Sequence, residues 1–576
     1  MDMMAAAFMD RLRATATGTR DLSHLPEWII QNTAHPKNRD LPWTFADHEM
    51  QMGILGSNAR HLLVRKCSQV GLSETLVRMV LAMMAILPES HIIYTLQTAK
   101  FASNFARTRV DPVISASKVL KSLASNTVNN TELKLIGSSF LYISGASGQG
   151  QAISVPADVV IHDEEDFSDA KTLSTYASRL GHAEDGGIRR RFSTPTVEGY
   201  GVSTDFPDST NHHYHCKCAH CNHWQKMNFF THVKVPGFTS GMDEFRKDDL
   251  TNPAYKVSEA AYLCERCGKP LTTENLNDPG LREWVPAFPD RDIHGYQVGP
   301  HDVPVTNTAP VTLRSIAEYA RYADWVNFKV GDPFEDETTS VLPNVVEECA
   351  VLPWERPIEG RVVGSGFCIG VDQGKTSWVL VGKAVDDEVH VVHAERIKVD
   401  TSDAVPGRLR ERAVQYGVKK LCTDAAPDYT TAMRLREECQ DGVAWGVYYN
   451  RTAKVKYSNL TLNEDDQILT AYRTGSLSDM VKKVNARKVK FARCPELVTI
   501  QEHLRVLKKV VADSEEGSRE SKWISTGADH FGHALNYLLM AIELAGQTGN
   551  LVPIRPLTIK TARIRADSDE DSKGGK

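Results

Sequence analysis

Short apolar runs alternate with longer stretches of helical periodicity between about residue 60 and residue 200. His61 to Val64 reads as a strand, and a long apolar-periodic helix starts at Ser73 with Glu74 in its first turn. HIIYTLQ (91–97) and FLYISGAS (140–147) read as two more buried strands. Val159 to His162 makes a fourth and runs directly into Asp163 and Glu164; Phe192 leads a fifth into Ser193-Thr194-Pro195-Thr196. This alternation predicts a parallel sheet with helices on both faces. Such a sheet delivers strand-end carboxylates to the edge where ligands bind. The pattern changes after a Pro/Gly-bearing stretch at 353–366. GFCIGVDQGKTSWVLVGKAV alternates as strand, turn and strand, with Asp372 ending the first strand. VHVVHAERI continues the sheet, KKLCTDAAPD is a short strand ending at Asp424, and TGADHFGHALNYLLMAIEL is a helix with Asp529 in its first turn.

A chain of 576 residues is too long for one core. The pattern divides it into an arm (1–40), an α/β domain (41–352) with an insertion at about 212–270, a linker (353–366), a second α/β domain (367–548) and a charged tail (549–576). Composition is that of a soluble globular protein, 41% apolar and 24% charged. The net charge of −6 does not advertise a nucleic-acid binder, so DNA contact must come from local basic patches. No run approaches the ~20 apolar residues of a membrane span. The start, with Asp2 and Asp10 and no basic n-region, is not expected to be a secretory signal.

Candidate chemistry falls at the strand ends. Between the first strand and its helix lies Arg65-Lys66-Cys-Ser-Gln69-Val-Gly71-Leu-Ser73, a strand–loop–helix of the kind that cradles phosphate on backbone N–H groups. It departs from G-x-x-x-x-G-K-[ST]: the first glycine is missing and Leu72 stands at the lysine position. Lys66, at the other end of the loop, can reach the β/γ-phosphates, and Ser73 can ligate Mg²⁺. Asp163 is expected to hold Mg²⁺ and Glu164 to orient water. Glu165 and Asp166 read as helix-start or loop acids. Trp43, Phe45 and Gln51 read as core or as an adenine contact. Arg107 and Arg109 read as a solvated helix face or as an arginine finger acting on a neighbouring subunit. Hydroxyls at Ser193, Thr194 and Thr196 can sense the γ-phosphate or merely cap a turn.

Four of the 11 cysteines form two C-x₂-C pairs, Cys218/Cys221 and Cys264/Cys267, and these point to structural Zn²⁺ in a reducing, cytoplasmic setting. Cys216, His215 and His220 are alternative ligands. Asp372, Asp424 and Asp529 match a two-metal phosphodiesterase centre with Mg²⁺ or Mn²⁺. With a strand-rich meander ahead of the helix, they suggest a ribonuclease-H-like fold. A basic segment with Lys482, Lys483, Arg487, Lys488, Lys490 and Arg493 reads as a phosphate track or a solvated strand edge.

Taken in this order, the segments resemble the large subunit of tailed-bacteriophage terminases, nearest the phage-lambda-type branch, over residues 40–545. The resemblance implies a P-loop-type ATPase with a deviant loop whose lysine is Lys66, Walker B acids at Asp163 and Glu164, and a coupling motif at Ser193–Thr196. It implies an inserted zinc knuckle and nuclease acids at Asp372 and Asp424. YYNRTAKVKY also resembles the family's Asn-Arg-Thr segment. Arg65 becomes a candidate charge-stabilising arginine in cis, Arg107 or Arg109 one in trans. The last motif departs from D-H-x-x-D-A-L-x-Y: His533 stands where a second acid often lies, one turn from Asp529.

The function so implied is an ATP-driven DNA-packaging motor with its own endonuclease. It would act in the host cytoplasm on double-stranded viral DNA, with a small terminase subunit, the portal of a procapsid and copies of itself in a ring. A helicase–nuclease of repair or replication is the alternative, disfavoured because no second motor domain follows residue 300. A non-enzymatic zinc-bearing DNA scaffold is disfavoured because both catalytic sets read as complete.

Overall fold

The computed structural model describes residues 21–546, apart from 36–37, 148–154, 184–185, 359–361, 399–403, 427–428, 440–441, 451–459 and 514–518. The start of the expected arm, the tail, and the Arg451-Thr452 part of the Asn-Arg-Thr segment lie outside the described residues. Two compact units form, one from Met1–Thr339 with Lys508–Thr526, the other from Ser340–Leu507 with Gly527–Lys576.

The first unit is built on an 11-stranded sheet among the described residues. Its centre is six parallel strands: β1 (His61–Lys66), β2 (His91–Leu96), β3 (Ser139–Gly145), β4 (Val159–Asp163), β5 (Ile188–Ser193) and β6 (Ile293–Val298). Their order is β6-β1-β5-β4-β2-β3. All five residues of β4 are buried, as a strand covered on both faces requires. Helix α1 (Leu72–Ile86) follows β1 and is buried almost all round, which explains why its sequence is apolar beyond a single stripe. Register places Asp163 beside Phe192 of β5, and β5 separates the Lys66 strand from the acid strand. Both strands end at the same sheet edge.

The second unit holds an eight-stranded sheet among the described residues. β7 (Phe367–Asp372), β8 (Thr376–Val385) and β9 (Glu388–Lys398) form an antiparallel meander, while β10 (Val418–Asp424) and β11 (Ala444–Asn450) join β7 in parallel. Helix α2 (His530–Leu544) crosses β7 at Gly370, where a Cβ would overlap the Ala534 carbonyl and the Leu538 N–H. Only glycine allows that approach.

The division differs from the expected one in two places. Residues 340–366 group with the second unit, and the Pro/Gly stretch is tied to it: the Glu355 N–H donates to the Val392 carbonyl, Tyr416 donates its hydroxyl hydrogen to the Glu355 carbonyl, and the Val363 N–H donates to Gln415. Residues 508–526 group with the first unit, and the described part is two paired strands, Leu507–Asp513 and Arg519–Ser525, the arms of a hairpin. Its Lys508 pairs with Glu335 at 2.5 Å, and the Lys509 N–H donates to the Thr339 carbonyl.

Candidate active sites and a candidate metal centre

Lys66 ends β1 with its side chain buried, and its ammonium donates to Glu164 at 2.6 Å. Burial works against that charge, but Glu164 and Asp163 outweigh it and hold the Lys66 pKa above its ordinary value. The loop turns at two left-handed positions, Gln69 (φ 65°) and Gly71 (φ 77°), before Leu72 enters α1. Gln51 braces it: its amide donates to the Val70 carbonyl at 2.8 Å and accepts from the Thr75 hydroxyl at 2.6 Å. Trp43 lies over the Arg78 guanidinium and Phe45 is buried in the core. Gln51 therefore supports the loop, Phe45 is core, and Trp43 is half-buried against Arg78.

Asp163 is buried, with its pKa pushed up to about 6 by burial and by the Glu164 charge; Lys66, Tyr94 and Ser73 pull against that shift. Tyr94 donates to its Oδ2 at 2.9 Å, while Oδ1 is buried without a protein partner. An orphaned carboxylate oxygen beside the Ser73 hydroxyl suits a hard cation. Glu164 has φ +57°, a left-handed conformation strained for any residue with a side chain.

Arg65 does not join this cluster. Successive residues of a strand face opposite ways, and the Arg65 guanidinium donates to Glu198 at 2.7 Å and packs over Phe206 at 4.0 Å, on the rim of a cavity of about 510 Å³. Arg109 lies on a π-helical turn, Ala106–Val110, and pairs with Glu74 of α1 in its own chain at 2.6 Å; Arg107 is exposed.

Ser193, Thr194 and Thr196 are buried, and Ser193 and Thr196 bond Asp166. The Asp166 N–H donates to Ser193 Oγ at 3.0 Å. Its carboxylate accepts from the Thr196 N–H and hydroxyl and from the Val202 N–H, each at 2.9 Å. Burial pushes its pKa up to about 7. Glu165 is likewise buried, in an ion pair with Arg191 at 2.7 Å, and Arg191 also bonds Asp205. Both acids stand in a 3₁₀ turn, Glu165–Phe167, so they are more than helix-start residues. Nothing local in the sequence marks Asp166 as the partner of that hydroxyl cluster, which lies about 30 residues away.

Cys218, Cys221, Cys264 and Cys267 place their sulfurs within 4.8 Å of one another. Cys218–Cys267 and Cys221–Cys264 are each 3.8 Å apart, unlike a disulfide. Four thiolates at ~2.3 Å from a tetrahedral Zn²⁺ lie about 3.8 Å from each other, so the set fits that ion. Gly268 takes φ +68° after the second pair. Cys216, His215 and His220 are not in the cluster.

In the second unit Asp372 and Asp424 end neighbouring parallel strands, one step beyond the Val371–Thr423 pair. Burial and the Asp372 charge push the Asp424 pKa up to about 7. Asp424 accepts from the Gln373 N–H at 2.8 Å, and Asp372 is 2.8 Å from His530 Nδ1. A half-buried oxygen-donor pair of this kind suits a hard divalent cation. Asp529 heads α2, 3.2 Å from His533 Nε2, while His533 Nδ1 lies 3.2 Å from the Tyr449 hydroxyl. Among the described residues only the four cysteines form a group of three or more ligands within 4.8 Å, so Asp529 is not drawn into equal closeness with the other two acids. Three of the six cations of the basic segment meet carboxylates, Arg487 with Glu348, Lys488 with Asp387 and Lys490 with Glu388, and Arg493 donates to the Ala350 carbonyl.

A strand–loop–helix junction whose lysine meets a strand-end acid pair is the working geometry of a nucleoside-triphosphate hydrolase. Residues 46–282 match the family model for the phage terminase large subunit gpA, ATPase domain. This stretch is accordingly a phage large-terminase ATPase domain. The large terminase of bacteriophage HK97 is similar at a TM-score of 0.50 and 9% identity, covering 92% of this chain and 100% of that one, which shows a shared fold. A large terminase from a thermophilic bacteriophage scores 0.29 at 9% identity, over 84% of this chain and 94% of that one. The large terminase nuclease of thermophilic phage G20c scores 0.24 at 20% identity, over 35% and 98%. Similarity at those two scores is too low to argue from. No curated protein matches the chain. No described helix is long and apolar enough to cross a membrane.

Proposed function

We propose that this chain is a terminase large subunit of the phage-lambda-type branch, an ATP-driven motor that moves double-stranded viral DNA and a metal-dependent endonuclease that cuts it. The observation that carries this reading is the family match over 46–282, the stretch in which Lys66 and Glu164 stand 2.6 Å apart.

In the motor, Lys66 and the N–H groups of loop 69–71 hold the phosphates, in a P-loop-type cradle with its lysine displaced to the start. Entry of a triphosphate competes for the Lys66 ammonium and releases Glu164, which then orients the attacking water. Ser73 and the free oxygen of Asp163 would hold Mg²⁺, which neutralises charge developing on the phosphoryl oxygens. Ser193, Thr194 and Thr196 pass the change on through Asp166. Arg109, already beside α1, is a better candidate than Arg65 for acting at this nucleotide, and Arg107 remains free to act on a neighbouring copy.

The second unit is read as a ribonuclease-H-like nuclease. Asp372 and Asp424 would hold divalent Mg²⁺ or Mn²⁺, two such ions, with Asp529 and His533 as candidate further ligands. Such ions activate water and stabilise the leaving oxygen of a phosphodiester. Cys218, Cys221, Cys264 and Cys267 would hold structural Zn²⁺. The partners implied are a small terminase subunit, the portal of a procapsid and further copies in a ring, in the host cytoplasm.

The test is DNA-stimulated ATP hydrolysis measured beside Mn²⁺-dependent plasmid cleavage. Lys66→Ala and Glu164→Ala are expected to abolish hydrolysis and spare cutting, and Asp372→Asn to do the reverse. Wild-type turnover after Glu164→Ala would sink the motor assignment.

A further inference from the structure

The coupling loop is joined to the phosphate loop by a segment that neither motif contains. Residues Val326–Val330 form a π-helical turn that ends at Gly331 in the left-handed region, φ +84°. Single π-turns cost hydrogen-bond geometry and recur at functional sites. This one touches both nucleotide-facing elements. On one side, the Ser68 N–H of the phosphate loop donates to the Phe328 carbonyl at 2.7 Å. Gly331 lies so close to the same loop that a Cβ there would stand 2.6 Å from the Cys67 nitrogen. On the other side, the buried Asn327 amide donates to the Thr196 carbonyl at 2.7 Å and to the Asp332 carbonyl at 2.9 Å, so both of its hydrogens are used. Phe328 also stacks on Phe167, from the turn after Glu164, with centroids 5.6 Å apart and planes at 20°.

These contacts close a circuit. Lys66 meets Glu164; Asp166, two residues on, holds Thr196; Thr196 is held by Asn327; and the next residue, Phe328, holds Ser68, two residues from Lys66. A displacement of the Lys66–Glu164 pair therefore reaches the coupling loop by two routes, one through Asp166 and one through the π-turn. Their agreement fixes where Thr196 sits in each state. Without Asn327 the Thr196 carbonyl keeps only the Phe334 N–H at 3.1 Å, and the coupling loop loses its side-chain tie to the π-turn that holds the phosphate loop.

We propose that Asn327 is a positioning residue of the motor, and that the turn Val326–Val330 is the mechanical link between phosphate loop and coupling loop. The inference rests on the ATPase reading above. Asn327 touches no nucleotide-facing group directly, so its loss should lower turnover without weakening ATP binding.

The experiment compares the full chain with Asn327→Leu, which keeps size and removes both donors, and with Asn327→Gln, which keeps the amide. Steady-state ATP hydrolysis is measured with and without double-stranded DNA, and Mn²⁺-dependent plasmid cleavage is run on the same preparations. Asn327→Leu is expected to lose roughly tenfold of DNA-stimulated kcat with KM for ATP within about twofold of wild type. Cleavage should be unchanged, and Asn327→Gln should recover part of the loss. DNA-stimulated kcat in Asn327→Leu within twofold of wild type overturns the inference. So does a parallel loss of kcat, ATP affinity and thermal stability in both variants, which would make Asn327 a packing residue only. Absence of hydrolysis by the wild type would instead overturn the ATPase reading itself.

Discussion

Glu164 sits in a left-handed backbone conformation that a side chain disfavours, next to an acid whose own ionisation is opposed by burial. Strain of about 1–3 kcal/mol at one residue persists only when its surroundings hold it there, and here Lys66 and the Glu165–Phe167 turn do so. Glu164→Gly relieves that strain but strips the buried Lys66 ammonium of its partner at 2.6 Å, so stability should fall by about 1–3 kcal/mol while ATP hydrolysis is abolished, checked by thermal unfolding beside turnover. Asp166 gives a pH prediction at the same scale. Its folded pKa, raised to about 7, lies above the unfolded value near 3.8, so the folded state holds this proton more tightly. The stability it contributes is complete below pH 3.8 and is lost as pH rises through 7, with a slope on the order of 1 kcal/mol per pH unit between. Asp166→Asn should flatten that part of the curve. A wild-type slope that persists unchanged in the variant would show that other groups set it.

Helix α2 and the zinc-type knuckles are elements whose roles depend on one or two residues each. Gly370→Ala inserts a methyl where the Ala534 carbonyl already sits, so α2 must lift from β7. The expected result is a loss of about 1–3 kcal/mol and of plasmid cleavage, because Asp529, His530 and His533 ride on that helix, while ATP hydrolysis is retained. Cys264→Ser is expected to lower bound zinc from one equivalent to none, read by metal analysis, and to lower the unfolding midpoint by on the order of 10 °C. Elements of this kind were the legible part of the chain. β1, β4, β7 and β10 stand where short apolar runs end in charge, and β2 where such a run ends in polar residues, because burial demands such runs. Asp166 was not legible, because its partners at 193–202 adjoin it only through strand pairing. The π-turn at Val326–Val330 was hidden for a similar reason: its bonds to Ser68 and Thr196 span more than 130 residues of chain. The orientation of Arg65 was not legible from the loop motif, because strand alternation turns it toward Glu198.

At the scale of the molecule, chain order and unit membership part company. Residues 508–526 follow most of the second unit in sequence yet belong to the first, where Lys508 meets Glu335 and Lys509 meets Thr339. A chain ended after Thr339 is therefore expected to unfold several degrees below the first unit of the full chain, about 2–4 °C for each kcal/mol lost. Equal midpoints in calorimetry would show that the hairpin contributes nothing.

The backbone leaves the first unit after Thr339, returns after Leu507 and leaves again after Thr526. One crossover between two viral genomes cannot exchange either unit whole, since any single breakpoint between 340 and 526 separates the hairpin's codons from those of the unit it completes. Recombinants that keep both activities should carry both segments of the first unit from one parent, so that 1–339 and 508–526 are inherited as a pair although more than 160 codons lie between them.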